Sequence, residues 1–358
     1  MSKLRVGVIG LGEVAQVIHL PILESLPDRY ELAAVCDISP GLVKRVGDRY
    51  RVENQYADFR ELIAAGGLDC VFVLNSDEYH AECTVAALDA GLHVLVEKPM
   101  CLSPREAEEI IAARDRSGKT VMVAYMRRFA PAFTEAVRRL PELGPIRYVR
   151  VHDVIGENRL IVDQTAHVDR PDDIPQEAID EKWERRATLV GEALGDVPEE
   201  IGWTYGLLCG LGSHDLSAMR ELLGPPQKVA AARMWRNGGY VVALLDYGDF
   251  VVTYETGVDD QLRFDAHIEV YGAAGSMKVQ YDTPYVRHFP TVLEVDRTVG
   301  DAYERSVVRP HLKDPYTHEL EYFHEVVTTG GTPKTSPEDY VQDMKLFVEI
   351  IRALDQSE

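Results

Sequence analysis

A strand that runs into a glycine turn at the start of the chain restricts the fold more than any other stretch. Residues 4–10 read L-R-V-G-V-I-G, and Gly10, Leu11, Gly12, Glu13, Val14 and Ala15 follow as G-x-G-x-x-A. In this pattern the first glycine makes a tight turn and the second lets backbone approach a pyrophosphate. The small third residue lets helix and strand pack closely. The helix beyond the turn then presents its N-terminal N–H groups to the phosphates. A lone G-x-G says little. With a strand before it and a helix-like stretch after it, the turn implies a dinucleotide site.

The next stretches fit such a site. Residues 31–36 read as a second strand ending at Asp37, an acid about 20 residues past the glycines, where the ribose hydroxyls of NAD are bound. Ile38, Ser39 and Pro40 follow, with no arginine beside Asp37 to receive a 2′-phosphate, so the residues favour NAD over NADP. Residues 56–65 read as a helix with Phe59, Leu62 and Ile63 on one face. Residues 68–74 form a third apolar strand that stops at Asn75, Ser76 and Asp77. A helix over 80–90 closes at Gly91.

Residues 93–96 run as a fourth strand straight into Glu97, Lys98 and Pro99. A charge at the edge of a core is costly unless it is paired or used. Open parallel sheets bind ligands at the carboxyl ends of their strands, so Lys98 is expected to point into a crevice. Ser103, Pro104 and Glu106 start another helix, and residues 120–124 make a fifth strand. Alternating strands and helices predict an α/β fold with a doubly wound parallel sheet.

These motifs carry a resemblance. G-L-G-E-V-A, the Asp37 strand end, His80, the E-K-P of Glu97–Pro99 and the A-Y-M-R-R-F-A-P of residues 124–131 resemble the glucose-fructose oxidoreductase, inositol dehydrogenase and rhizopine catabolism family of NAD(P)-dependent oxidoreductases. Residues 271–277 are similar to that family's turn between sheet strands. Tyr316, Glu319, Phe323, Gly331, Pro333 and Asp339 follow its C-terminal spacing. The resemblance implies a Rossmann domain followed by an α+β domain with a large open, predominantly antiparallel sheet.

The resemblance also implies roles. Lys98 is then the active-site lysine, held by Glu97 and Pro99, and His214 the proton acceptor. The cofactor is expected against Gly10, Gly12, Glu13, Val14, Ala15, Asp37, Asn75, Ser76, His80, Glu97, Lys98 and Pro99. Substrate is expected against Lys98, Arg127, Asp153, Ser213 and His214. The chain departs from the family in three places. Gly210 stands where D-x-G-x-H has its aspartate, Asn75-Ser76-Asp77 replaces a T-P-N turn, and Met126 replaces an asparagine. Asp153 or a carboxylate of residues 156–201 is expected to stand in for the missing acid.

The second half reads differently. Residues 146–155 alternate like a half-buried strand, and 156–201 form an acidic stretch long enough to be a lid or an arm. Residues 215–223 read as a helix with His214 near its N-terminus, where the dipole favours neutral imidazole. Strands over 227–235, 240–247, 250–256, 262–271 and 277–281 predict successive hairpins. Such an open sheet leaves one face free, so a homodimer or homotetramer is expected.

The 358 residues suit two domains, 1–125 and 126–358, with 156–201 as an insertion. A net charge of −21 opposes partners that need basic patches, nucleic acid and anionic membranes. No leader or membrane-length run is evident, and the five scattered cysteines form no C-x-x-C pair. A cytoplasmic protein without a metal is expected. Three readings follow: an NAD-dependent dehydrogenase of a sugar, cyclitol or glycoside alcohol; a catalytically impaired sensor that binds NAD and sugar; and an enzyme that forms a 3-keto sugar with recycled NAD.

Overall fold

The computed structural model describes residues 2–354 and divides into two compact units. The first comprises the residues up to Ala124, Ala166–Asp196 and Glu319–Val341. The second comprises Tyr125–Thr165, Val197–His318 and the residues from Gln342 on. The second domain, expected as one piece over 126–358, is therefore interrupted twice.

Among the described residues the first unit has a six-stranded sheet in the order β3-β2-β1-β4-β5-β6. The strands are β1 (Leu4–Ile9), β2 (Tyr30–Cys36), β3 (Asn54–Tyr56), β4 (Cys70–Val73), β5 (His93–Glu97) and β6 (Val121–Ala124). All neighbours are parallel. Every residue of β4 is fully buried, as expected of a strand covered on both faces. The order reverses between β1 and β4, the kind of switch point at which open sheets bind ligands. A π-turn over Ala15–His19 runs into α1 (Leu20–Ser25), and α2 (Pro40–Tyr50), α3 (Phe59–Ala65), α4 (His80–Asp89) and α5 (Pro104–Ser117) follow.

The later pieces complete this unit. In α11 (Pro315–Thr329), Phe323 is fully buried with its ring 5.7 Å from that of Phe72, edge to face. Val123 donates its N–H to the carbonyl of Thr335 at 2.8 Å. Tyr340, in α12 (Pro337–Leu354), donates its hydroxyl to the carbonyl of Cys101. In α8 (Gln176–Leu194), Arg186 meets Asp77 at 3.1 Å and Glu78 at 2.8 Å. Within the stretch 156–201, expected as a lid or an arm, residues 166–196 thus belong to the nucleotide unit. The acidic ends of its loops meet arginines of α8, which explains the docking.

The second unit holds an eight-stranded mixed sheet, ordered β14-β13-β12-β11-β7-β10-β9-β8. The strands are β7 (Ile146–Gly156), β8 (Lys228–Trp235), β9 (Tyr240–Asp246), β10 (Val251–Asp259), β11 (Phe264–Gly272), β12 (Ser276–Tyr281), β13 (Val292–Val299) and β14 (Ala302–Val308). β7 pairs parallel with β10 and antiparallel with β11; the other pairs are antiparallel. Period-two burial puts Val149, Val151, Asp153 and Ile155 of β7 on the inner face. Helices α6 (Pro131–Arg139), α7 (Asn158–Thr165), α9 (Glu199–Leu207) and α10 (Ser213–Leu223) complete the elements.

The helix carrying His214 is longer than expected. Leu207 (φ −63°, ψ −45°) and Gly212 (φ −58°, ψ −26°) are both helical, so α9, a π-turn over Leu208–Gly212, and α10 form one continuous run. His214 is therefore inside a helix. Its N–H neighbours are engaged within the run, and the expected dipole effect at a helix start is lost.

Candidate active site

The glycine turn has the geometry of a cradle. Gly10 has φ +92°, and a Cβ there would lie 2.3 Å from the backbone nitrogen of Asn75. Glycine is thus the residue that lets β1 pass the end of β4. A Cβ on Gly12 would meet nothing within 4 Å, so the backbone faces open space. Ala15 is fully buried, as close helix–strand packing requires. Glu13 and Val14 are half-buried. Asp37 accepts from the N–H of Leu11 at 2.7 Å and of Ser39 at 2.9 Å. Burial pushes its carboxyl above the ordinary value, while those two N–H groups pull the other way.

Two strands away, β5 ends on a buried acid. Glu97 meets the Nε2 of His19 at 2.8 Å and accepts from the N–H of Lys98 at 3.1 Å. Burial would raise its pKa, but His19, with Lys98 beyond it, holds the carboxyl below the usual range. Lys98 is half-buried, and the Lys98–Pro99 peptide is cis. Met100, Cys101 and Leu102 then enter the core, each fully buried. Behind Glu97 lies Glu319, buried, with neither carboxylate oxygen hydrogen-bonded among the described residues. Burial, then the charge of Glu97, push its pKa well up.

Other expected cofactor residues hold the frame. His80 sets one ring nitrogen 2.7 Å from the carbonyl of Pro99 and the other 3.0 Å from that of Asn75. The ring thus ties the ends of β4 and β5 together. Asn75 donates to the Sγ of Cys83 at 3.4 Å, and Ser76 to the carboxylate of Glu78 at 2.5 Å.

In the second unit the residues around His214 form a buried charge cluster. Arg127 meets Asp153 at 3.0 Å and also Asp215, and the three side chains are at most 2% exposed. Burial, then proximity to Asp153, push Asp215 well above the carboxylate range, against the pull of Arg127. One cation thus faces two carboxyl groups. Arg127 and Asp153, expected to bind substrate, are turned to each other instead, because β7 directs Asp153 inward among Val149, Val151 and Ile155. Asp153 is accordingly no ready stand-in for the missing acid. Ser213 is also fully buried, its hydroxyl without a hydrogen-bond partner among the described residues.

The two motif glycines differ. A Cβ on Gly212 would lie 2.4 Å from the hydroxyl of Tyr254, so this glycine lets the helix approach the sheet. A Cβ on Gly210 would meet nothing within 4 Å. A side chain fits there, and its absence is not a packing requirement.

Sequence reasoning missed the groups that reach the nucleotide turn from residues 169–173. Gln16 exchanges hydrogen bonds with the backbone of Asp169 at 2.9 and 3.0 Å, and Arg170 meets Glu13 at 2.7 Å. The D-R-P-D-D run signals its acidity but not its destination. His19, beneath Glu97, carried no signal of its own.

The chain is similar to known proteins. Residues 4–125 match the model of an oxidoreductase family with an NAD-binding Rossmann fold. The inositol 2-dehydrogenase of Salmonella typhimurium strain LT2 is 32% identical over 134 residues, 37% of this chain and 40% of that protein. The chain thus aligns with well under two thirds of that relative. The myo-inositol 2-dehydrogenase of Thermotoga maritima is 25% identical over 94% of this chain and 92% of its own. Among solved structures, a levoglucosan dehydrogenase in complex with NADH and levoglucosan shares the fold, with a TM-score of 0.77 and 18% identity over 100% of this chain and 98% of that one.

Proposed function

We propose that the chain, whose residues 4–125 match an oxidoreductase family with an NAD-binding Rossmann fold, is an NAD-dependent dehydrogenase acting on a secondary alcohol of a sugar, cyclitol or glycoside. The observation that carries the reading is the open backbone at Gly12, with Asp37 at the end of β2 and Lys98 at the end of β5. All three lie at carboxyl ends of strands in one parallel sheet. The similarity to inositol 2-dehydrogenases supports the substrate class.

The turn fits a dinucleotide. Gly10 to Ala15 would hold the pyrophosphate and Asp37 the ribose. Bound there, the dinucleotide would supply the hydride acceptor for the carbinol carbon. His214 takes the hydroxyl proton as general base. Lys98, as ammonium, stabilises the negative charge that develops on that oxygen. Glu97, fixed by His19, orients the backbone N–H of Lys98 and thereby the start of its side chain.

The test follows nicotinamide absorbance while NAD and NADP are screened against cyclitols, aldoses and glycosides. Separate titrations follow NADH binding. Turnover with NAD is expected to fall about 10²–10³-fold in Lys98→Ala, and similarly in His214→Ala, with NADH affinity retained. Unchanged turnover in both variants overturns the assignment. Tight NADH binding with silence across the panel favours the sensor reading, for which the carboxylate missing at Gly210 speaks.

A further inference from the structure

Residues 169–173 place two carboxylates at the end of the nucleotide site that distinguishes NAD from NADP. β2 ends at Cys36, and beyond it Ser39 caps α2, its hydroxyl accepting from the N–H of Leu42 at 3.1 Å. The free N–H groups at such a helix start suit an anion, and the 2′ substituent of the adenosine ribose is read just past this strand. Asp173 occupies those donors. It accepts from the Ser39 hydroxyl and from the N–H of Gly41 at 2.7 Å. Asp169, in turn, accepts from Arg45 of α2 at 3.1 Å. A hydroxyl, a backbone N–H and a guanidinium, the set a 2′-phosphate needs, are thus all engaged by one segment.

We propose that Asp173 and Asp169 determine cofactor specificity, excluding NADP by filling its phosphate donors with carboxylates and repelling its charge. This rests on the dehydrogenase reading and extends it to residues far from Asp37 in sequence. Ser39 and Gly41 hold the Asp173 carboxyl below its ordinary pKa, so it is fully charged at neutral pH. Its charge also acts on Asp37. Both carboxylates belong to the segment that Gln16 and Glu13 staple to the glycine turn.

Dissociation constants for NADH and NADPH, read by nicotinamide fluorescence, test this on the wild-type chain, Asp169→Asn, Asp173→Asn and the double variant. Both positions are partly solvent-exposed, so melting curves should stay close to wild type. The double variant is expected to bind NADPH about 10-fold more tightly, with NADH affinity within about 2-fold. Asp173→Glu should keep the wild-type preference. The wild-type preference for NADH should narrow as salt rises, as screening demands. An NADPH-to-NADH ratio unchanged in the double variant overturns the inference and leaves the proposed function standing. A wild-type chain that binds neither nucleotide overturns the proposed function, and the inference with it.

Discussion

The two units solve one problem, a buried charge beside a candidate reacting group, in opposite ways. Beside Lys98, Glu97 is matched by the imidazole of His19, and the buried Glu319 is kept apart from that pair. At Asp215, which follows His214 in the chain, a guanidinium, Arg127, meets two carboxyl groups, Asp153 and Asp215. In the first unit His19 draws the pKa of Glu97 below its ordinary value; in the second, burial and Asp153 push that of Asp215 up against the pull of Arg127. Burial is nearly complete in both. Desolvation therefore does not set the direction by itself: the partners that each acid meets do.

The comparison breaks most visibly at Arg127. Arg127→Met leaves two carboxyl groups in a dry core and is expected to cost about 3–5 kcal/mol of stability, measured by urea unfolding. A loss below about 1 kcal/mol would mean that the cluster is hydrated. In the first unit, His19→Ala removes one partner of Glu97 and should cost about 1–3 kcal/mol. It should also lower turnover, since Glu97 no longer holds the start of Lys98, whereas nucleotide affinity should hold.

The pH dependence of unfolding sharpens the contrast, because the two acids have opposite signs. Glu97 lies below its ordinary value of 4.5, so its contribution is present at neutral pH and is lost as pH falls through the folded value. Asp215 lies above its ordinary value of 3.8, so its contribution is full in acid and declines as pH rises through the folded value. Glu97→Gln should flatten the acid limb and Asp215→Asn the alkaline one. Because Asn mimics the protonated acid, Asp215→Asn should change stability by less than about 1 kcal/mol near neutrality. If it is instead as damaging as Arg127→Met, the cluster runs on two full negative charges.

The smallest effect is expected at Gly210. Gly210→Asp meets open space and should shift stability by about 0.5 kcal/mol or less. It restores a carboxylate one turn before His214 and should raise kcat/KM a few-fold by orienting the imidazole. A variant with lower activity would show that this chain uses its second half without such a partner.

Legibility tracks what repeats along the chain. β1, β2, β4, β5 and β6 are largely apolar runs, and the sequence reading marks all five. β3, three residues at the sheet edge reading N-Q-Y, has no run to mark it. β13 alternates only in its first half, and β14 is exposed almost throughout, so neither carries a full period. Gly210 and Gly212 both take helical backbone, and only Gly212 has to be small, for packing against Tyr254. The inward direction of Asp153 was legible in the period of β7 and outweighed by its charge. The match between residues 169–173 and α2 was not legible, since long-range pairing leaves no local pattern.

One consequence concerns how the chain is made. The sheet that carries the glycine turn consists entirely of residues before 125, yet its apolar cover includes Phe323 and its loops are tied by Thr335 and Tyr340. A nascent chain emerging from the ribosome exposes all six strands long before those residues exist. The first unit to be translated is therefore among the last to close. Its contacts join residues some 300 positions apart, such as Arg29 and Glu321, and such separations slow folding. Until then Phe72 and its neighbours wait uncovered, a surface for a chaperone to shield.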